Sequence, residues 1–346
     1  MLRFECDYTE GCIPEILDAI AKENHTQLCG YSEDPICDRA RAKIKALCGT
    51  EDVDVHFLVG GTQTNTTVIA ASLRPYQGVI SADAGHINCH ETGAIEATGH
   101  KVIALPSATG RLDADQIRAY CAAHWSDSTH EHIVQPGMVY LSHPAENGSL
   151  YSLQELTEIR AACDQWNLTL FVDGARLGYG LASPKNDITI EDLARLTDVF
   201  YIGGTKVGAL FGEAVVIRNA AMKKDFRYMI KRQGGMLAKG WLLGLQFDTL
   251  FENGLYFTVS KKAVDQALRI KEAFEKKGCK FFMESWTNQQ FPILDHETLK
   301  KFDSAYTYSV WAPIDESHTA VRFCTSWATT EEQVDQLVAD IDRFVG

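Results

Sequence analysis

Short apolar runs alternate with segments of helical periodicity over most of the chain from about residue 40. The runs that we assign to strands are HFLVGG, GVISAD, KVIALP, MVYLSHP, LTLFVDGAR, DVFYIGG and EAVVIR. Helical segments such as TNTTVIAASLR and SLQELTEIRAACDQW lie between these runs. A further predicted helix, Asp38–Cys48, precedes the first run, HFLVGG. Strands that alternate with helices need crossover connections. The pattern therefore predicts an α/β fold whose mainly parallel sheet is covered by helices on both faces.

The pattern changes near residue 241. Two helical stretches, WLLGLQFDTLFENG and VSKKAVDQALRIKEAFEKKG, are interrupted near Gly254. FFM, QQFPIL and TAVRFCTSW then read as strands, and TTEEQVDQLVADIDRFV reads as a terminal helix capped by Thr329 or Thr330. We therefore predict an N-terminal arm at 1–25, a large domain at 26–245 and a small α+β domain at 246–346.

Charge and composition narrow the classes of partner. The formal net charge is −13 and lysine and arginine form no cluster, which argues against a nucleic acid partner. The N-terminal stretch MLRFECDYTEGCIPEIL carries charges where a signal peptide is apolar, and no run reaches membrane-spanning length. The ten cysteines form no CxxC pair, which predicts free thiols and no metal site. We expect a cytoplasmic protein that does not bind membranes.

A single lysine, Lys206, lies in the stretch FYIGGTKVGALFGEA, whose other residues up to Gly212 are apolar or small. An unpaired buried lysine costs several kcal/mol unless it loses its proton or is modified. Asp173 ends the strand in LTLFVDGAR, and Lys206 follows the next strand, DVFYIGG. Both side chains should therefore reach the crevice at the carboxyl ends of parallel strands. Such a lysine could form a Schiff base with pyridoxal 5′-phosphate (PLP), and the aspartate could hold its pyridinium nitrogen. A structural Asp–Lys ion pair, or an amine that reaches solvent, is the alternative.

Two other stretches could complete a cofactor site. In VGGTQTNTTVIAA, Gly60 and Gly61 allow close backbone approach, and Thr62 could cap a helix whose free N–H groups face a phosphate. The same residues also suit an ordinary strand-to-helix turn. His86 follows the strand GVISAD, where it could stack on a planar ring or transfer a proton, or simply bind loop carbonyls.

Several motifs in one order resemble the low-specificity L-threonine aldolases, which are fold-type-I PLP enzymes of the aldolase/β-eliminating lyase group. The motifs are GGTQTN, AGHINCHETGAIEATGHKV, ENGSLYSLQEL, FVDGARLGYGL and YIGGTKVGALFGEAVV. The resemblance extends over nearly the whole chain. It implies a carbon–carbon lyase that cleaves a β-hydroxy-α-amino acid, such as L-threonine or L-allo-threonine, to glycine and an aldehyde such as acetaldehyde. It also implies a homotetramer built as a dimer of dimers.

The same resemblance implies a role for each residue of the cofactor site. Lys206 becomes the lysine that holds PLP as a covalent aldimine, and Asp173 becomes the partner of the pyridine nitrogen. His86 becomes the imidazole stacked on the ring and, directly or through water, the candidate for proton transfer at the β-hydroxyl. The residues implied for the cofactor phosphate are Gly61, Thr62 and Thr205.

For the substrate, the resemblance implies that Arg176 in DGAR and Arg322 in AVRFCTSW bind the carboxylate. A planar guanidinium suits that task because it donates two parallel hydrogen bonds, whereas a structural salt bridge is the plain alternative for each arginine. The family's N-terminal Ser-Asp pair, whose serine touches the carboxylate, is replaced by Cys6 and Asp7. A second active-site histidine of many relatives is replaced by Glu146.

Two further residues, Tyr31 in GYSEDP and Arg232 in KRQGGM, are implied to reach the site from a neighbouring subunit, where Tyr31 would contact substrate and Arg232 the cofactor. Three other functions remain open from the residues alone. The chain could be a PLP enzyme that performs β-elimination on another amino acid, an aldolase of the phenylserine type, or a non-catalytic α/β binding protein in which Asp173 and Lys206 are structural.

Overall fold

The computed structural model describes all residues from 1 to 346 and contains strands and helices in alternation. The strands are β1 (Leu2–Arg3), β2 (Asp54–Leu58), β3 (Gln77–Ala82), β4 (Val102–Leu105), β5 (Gln135–Ser142), β6 (Thr169–Asp173), β7 (Val199–Gly203), β8 (Glu213–Ile217), β9 (Gln289–Gln290), β10 (Ile293–Asp295), β11 (Tyr306–Thr307), β12 (Ser309–Pro313) and β13 (His318–Cys324). The α-helices are α1 (Pro14–Glu23), α2 (Pro35–Leu47), α3 (Gly61–Ser72), α4 (His86–Cys89), α5 (Ala114–Ser126), α6 (Leu153–Trp166), α7 (Leu177–Leu181), α8 (Ile190–Leu196), α9 (Ala220–Lys223), α10 (Phe226–Arg232), α11 (Trp241–Leu250), α12 (Leu255–Lys276), α13 (His296–Phe302) and α14 (Glu331–Phe344).

The central sheet has seven strands in the order β2-β8-β7-β6-β5-β3-β4. Only β8 runs antiparallel to its neighbours, so the predicted mainly parallel sheet is confirmed. All seven apolar runs assigned from the sequence form these strands. The carboxyl ends of β3, β5, β6 and β7 meet at one edge of the sheet because these strands are parallel.

Both faces of this sheet are buried. Phe171 and Val215 pack in one hydrophobic cluster, whereas their chain neighbours Val172 and Val216 pack in another on the opposite face. Successive side chains of a strand point to opposite faces, so a run that is apolar throughout fits a sheet with helices on both sides. This explains why the strands of the sequence show continuous apolar runs rather than alternation.

Helix boundaries follow the capping residues. Helix α14 begins at Glu331, and Thr330, not Thr329, caps it by accepting a hydrogen bond from the Gln333 N–H. Helix α2 begins at Pro35, three residues before the predicted start at Asp38, because Asp34 accepts hydrogen bonds from two N–H groups of the first turn.

The C-terminal part departs from prediction at its strands. The expected FFM strand is wrong, since only Phe281 forms an isolated bridge, to Pro292. QQFPIL is split into β9 and β10 around Pro292, which lacks the N–H that a ladder needs. The pattern missed β12, which pairs with β13, and it missed β1, which pairs with β11. The first residues of the expected arm therefore pair with the C-terminal part, while the three-segment division stays a prediction.

All ten cysteines are free thiols, as the sequence predicts.

None of the helices combines the length and the apolar composition that crossing a bilayer requires.

Candidate active site

The backbones that follow β6 and β7 touch each other at two glycines. Gly203 N donates a hydrogen bond to Gly174 O at 2.9 Å. A Cβ atom at Gly174 would lie 2.0 Å from the Tyr201 carbonyl oxygen, and one at Gly203 would lie 2.2 Å from the Ala175 carbonyl oxygen. Only glycine allows this approach, and it brings the carboxyl ends of two strands, with Asp173 and Lys206, to one site.

A cavity of about 370 Å³ opens at this edge of the sheet. The residues lining it that the sequence predicts are Gly61, Thr62, His86, Asp173, Arg176, Thr205 and Lys206. An adjoining cavity of about 490 Å³ shares His86, Arg176 and Lys206 and extends to Arg322 and Trp311 of the C-terminal strands. The predicted cofactor and substrate residues therefore converge where the large sheet faces the C-terminal part.

Asp173 is buried and held by three hydrogen-bond donors. Its Oδ2 atom accepts hydrogen bonds from the Tyr140 hydroxyl at 2.5 Å and from Asn65 Nδ2 at 3.2 Å. Its Oδ1 atom accepts one from the Ala175 N–H at 3.0 Å. Three donors on two oxygens fix the orientation of the carboxylate. Asp173 therefore faces the cavity in a fixed direction.

The Lys206 side chain has no carboxylate partner with which to form a structural ion pair. Its Nζ atom makes no hydrogen bond or salt bridge to another side chain and lies 5.9 Å from the centroid of the Tyr8 ring. Burial and the nearby charge of Arg176 lower the pKa of Lys206, against the opposing charges of Asp7 and Asp173. A neutral amine attacks carbonyl groups. The Asp173–Lys206 ion pair that the sequence left open does not form.

The turn before Lys206 depends on a residue that the sequence reasoning missed. Glu213 is buried at the start of β8, where its side chain accepts hydrogen bonds from the Thr205 hydroxyl at 3.0 Å and the Gly204 N–H at 3.2 Å. Burial raises the pKa of Glu213. Its signal in the sequence is a lone carboxylate beginning the apolar run EAVVI. Thr205 also accepts a hydrogen bond from Gly212 N, so its hydroxyl stabilises the turn.

The first turn of α3 faces the cavity. Gly60 is the N-cap residue, and no side chain caps the helix, so the expected capping by Thr62 is wrong. The physical reason is that the helix already begins at Gly61, which places Thr62 inside the first turn. Gly60, Gly61 and Thr62 all line the cavity. N–H groups of an uncapped first turn remain available to an anion.

His86 is held by a buried carboxylate. Its Nδ1 atom lies 2.8 Å from Glu91 Oε1, and Asn65 Nδ2 donates to the same oxygen at 2.7 Å. Burial alone would lower the pKa of His86, but the Glu91 hydrogen bond and the negative charge of Asp173 raise it. The Glu91 contact therefore fixes the orientation of the His86 ring and favours its protonated form. Glu91 and Asn65 were not identified from the sequence.

Arg176 is bound in a bidentate pair with a residue from the other end of the chain. Its Nε and Nη2 atoms lie 2.7 and 3.0 Å from the two carboxylate oxygens of Asp7. Asn288 Nδ2 donates to the same carboxylate at 2.9 Å. The charges of Arg176 and Lys206, with the hydrogen bonds from Arg176 and Asn288, lower the pKa of Asp7 to about 2 although burial opposes the shift. Only the Nη1 side of Arg176 remains for a ligand.

Arg322 lies at the far side of the second cavity. Its Nη1 atom donates to Gln289 Oε1 at 3.0 Å, and its Nη2 atom donates to the carbonyl oxygen of Glu5 at 2.8 Å and to Ser309 Oγ at 3.2 Å. None of these partners carries a negative charge, so Arg322 does not form the structural salt bridge that was its alternative role. Arg322 therefore supplies an unneutralised cation to the cavity.

Three predicted residues do not line either cavity of their own chain: Cys6, Tyr31 and Arg232. Tyr31 is exposed at 44% and adopts a positive φ of 63°, and Lys231 Nζ lies 5.2 Å from its ring centroid. Arg232 ends α10. Within one chain, Tyr8 occupies the cavity rim where the sequence pointed to Cys6. The roles of these three residues remain predictions.

The chain is similar to proteins of one family over most of its length. A family model described as beta-eliminating lyase matches residues 7–296. The threonine aldolase of Leishmania major, a solved structure, is 42% identical with a TM-score of 0.97 and complete coverage of both chains. A low specificity L-threonine aldolase of a Pseudomonas species is 28% identical over 98% of this chain and 96% of its own.

A more distant solved structure has the same fold. Aspartate aminotransferase from Thermus thermophilus is 13% identical, with a TM-score of 0.70, and the match covers 99% of this chain and 91% of the other. The predicted fold-type-I architecture and the resemblance to threonine aldolases are both confirmed. The chain belongs to the beta-eliminating lyase family, and it is similar over nearly its whole length to these two threonine aldolases.

Proposed function

We propose that this protein is a PLP-dependent aldolase that cleaves L-threonine or L-allo-threonine to glycine and acetaldehyde. The observation that carries the proposal is the convergence, in one cavity, of an unpaired lysine of lowered pKa and a fully hydrogen-bonded aspartate. The names of the two threonine aldolases that the chain matches over nearly its whole length support the choice of reaction.

The residues present fit PLP. Lys206, an amine of lowered pKa, would bind its aldehyde, Asp173 would pair with its pyridine nitrogen, and His86 lines the same cavity. The free N–H groups at Gly61 and Thr62 suit its phosphate. When bound, PLP supplies an electron sink for the pair released when a bond at the amino acid Cα breaks.

The protein's own groups would position the amino acid. Arg322 and the free edge of Arg176 would hold the substrate carboxylate in the second cavity, which fixes the orientation of the bonds at Cα. In this arrangement His86, whose Nδ1 atom is held by Glu91, would contact the cofactor ring.

The first experiment is a visible spectrum of PLP-loaded protein during addition of L-threonine, with glycine and acetaldehyde assayed in the same sample. We expect a yellow absorbance band and equal yields of the two products. Ammonia with a keto acid would instead assign the β-elimination that the family name describes, and benzaldehyde from phenylserine without turnover of threonine would assign the phenylserine type. A protein that stays colourless would contradict the cofactor assignment.

We further propose that the protein is a cytoplasmic homotetramer, a dimer of dimers, in which Tyr31 and Arg232 of one subunit complete the cavity of the next. Their absence from the cavities of their own chain supports this placement. Exposed aromatic side chains on the same segments, Tyr31 and Tyr228, would then become buried.

Complementation tests this arrangement. Lys206→Ala and Arg232→Ala subunits, each inactive alone, are co-expressed with different tags and purified as the mixed species. A mixed dimer holds one intact site, so we expect recovery of up to about half of the wild-type specific activity. Failure to recover activity, although mixed dimers form, would place Arg232 in the site of its own chain.

A further inference from the structure

Glu146 presents one carboxylate oxygen to both cavities. Its Oε1 atom accepts hydrogen bonds from the His86 N–H at 2.9 Å and from Ser142 Oγ at 2.6 Å. Its Oε2 atom has no hydrogen-bond partner in the protein. This atom is not fully buried. The side chain lines both cavities. One oxygen is therefore anchored while the other is open to whatever occupies the site.

The loop that carries Glu146 is held on both sides. The Ala145 N–H donates to Ser149 O at 2.9 Å, which closes a tight turn. Gly148 within this turn has a φ of 78°, and a Cβ atom there would lie 2.2 Å from Ser285 Oγ of the C-terminal part. The carboxylate is thus fixed by its own hydrogen bonds and by a backbone with little room to move.

The reaction proposed above needs a proton acceptor at the β-hydroxyl, and the other groups of the cavity suit that task poorly. The Nδ1 atom of His86 is already engaged by Glu91 Oε1 at 2.8 Å, and Glu91 and Asp173 raise the pKa of the imidazole, which favours its protonated form. The pKa of the Tyr8 hydroxyl is also raised, by burial. His90 is the remaining base, but its side chain is exposed and no hydrogen bond orients it.

We propose that Glu146 is the catalytic residue that accepts the β-hydroxyl proton through its Oε2 atom. This rests on the proposed aldolase function and assigns one step of it. The O–H proton moves to Oε2, the O–H electron pair forms the carbonyl of acetaldehyde, and the electron pair of the breaking Cα–Cβ bond stays with the glycine Cα. Glu146 then releases its proton to water while Cα takes up one proton, so the reaction is balanced.

The electrostatic setting agrees with this role. Burial and the charge of Asp173 raise the pKa of Glu146, although the Ser142 hydrogen bond and His86 oppose the shift. A carboxylate whose pKa moves toward the working pH is a stronger base than an ordinary one.

Glu146→Gln tests the proposal, because glutamine keeps an oxygen for His86 N and Ser142 Oγ and replaces only the free oxygen by an amide. We expect kcat for L-threonine to fall by about 10²- to 10⁴-fold, the range for a general base. Exchange of the glycine Cα proton with deuterated water, followed by NMR, involves no β-hydroxyl and should stay within about threefold of wild type. The dissociation constant of glycine, measured from cofactor absorbance, should be equally unaffected.

Matched variants separate the alternatives. Ser142→Ala removes one anchor but keeps the carboxylate, so kcat should fall much less than in Glu146→Gln. Glu146→Asp, which retains a carboxylate, should recover part of the lost rate and serves if the glutamine variant does not fold. An unchanged kcat in Glu146→Gln, or a large loss in His90→Asn alone, would overturn the proposal, as would a parallel loss of glycine exchange. Failure of the proposed aldolase function can be told apart from failure of the Glu146 proposal, because in the first case the wild-type protein itself would release no acetaldehyde.

Discussion

Replacing Lys206 by alanine is expected to lower glycine formation from L-threonine by roughly 10⁴-fold or more, the scale of removing a covalent catalytic group. The visible absorbance of the PLP-loaded protein should disappear in the same variant. The reason is that no other lysine lines either cavity, so no other amine can take its place. Stopped assays of glycine and a visible spectrum measure the two effects.

Two controls accompany this variant. Lys224→Ala removes an exposed lysine remote from the cavities and should leave rate and spectrum unchanged. Lys206→Met removes the amine but keeps most of the apolar volume, so without cofactor it should melt at the same temperature as wild type or higher, because burying an amine is costly. A Lys206→Ala protein that still formed glycine at the wild-type rate would contradict the assignment of the lysine.

Asp7→Asn is expected to destabilise the folded protein by about 3 kcal/mol, because it leaves the Arg176 guanidinium without its counter-charge at an almost fully buried position. Asp7 also accepts a hydrogen bond from Asn288, so it joins the N-terminal segment, the large sheet and the C-terminal part. Urea unfolding measures the loss. The double variant Asp7→Asn/Arg176→Gln removes both charges and should lose less stability than the sum of the two single changes.

The same pair predicts a pH dependence. The pKa of Asp7 is about 2 in the folded protein, below its ordinary value of 3.8, so folding favours the ionised form. The stabilisation is complete above about pH 5 and is lost as the pH falls toward 2; by linkage it amounts to about 2 kcal/mol. The stability difference between wild type and Asp7→Asn should therefore shrink over this range. A difference that is constant from pH 5 to pH 2.5 would show that the Asp7 charge is not its source.

Local patterns predicted most of the large sheet and its helices. Runs such as DVFYIGG and EAVVIR are apolar throughout and occur where β7 and β8 form. Prediction failed where pairing depends on distant segments. FFM has the composition of a strand but no partner strand along its length, and β1 and β12 exist because β11 and β13 lie beside them.

The residues of the candidate site also fall into those that were predicted and those that were not. Gly61, Asp173 and Lys206 were predicted because glycine turns and lone charges at strand ends are visible in the sequence, whereas Arg176 was implied by the family resemblance. The groups that orient them were not predicted. Asn65 has no distinctive context within TQTNTTV, yet it joins Glu91 to Asp173, 108 residues away along the chain.

The sequence by itself determined the α/β class, the order of the strands along the chain and the residue types available for chemistry, because periodicity, turn residues and isolated charges act within a few neighbouring residues. Only the tertiary structure decided which charges meet. It pairs Arg176 with Asp7 across 169 residues and leaves Arg322 and Lys206 without a carboxylate in salt-bridge contact. It also opens one oxygen of Glu146 to the cavity. Such outcomes depend on burial and on distances between remote segments, and both exist only once the chain is packed.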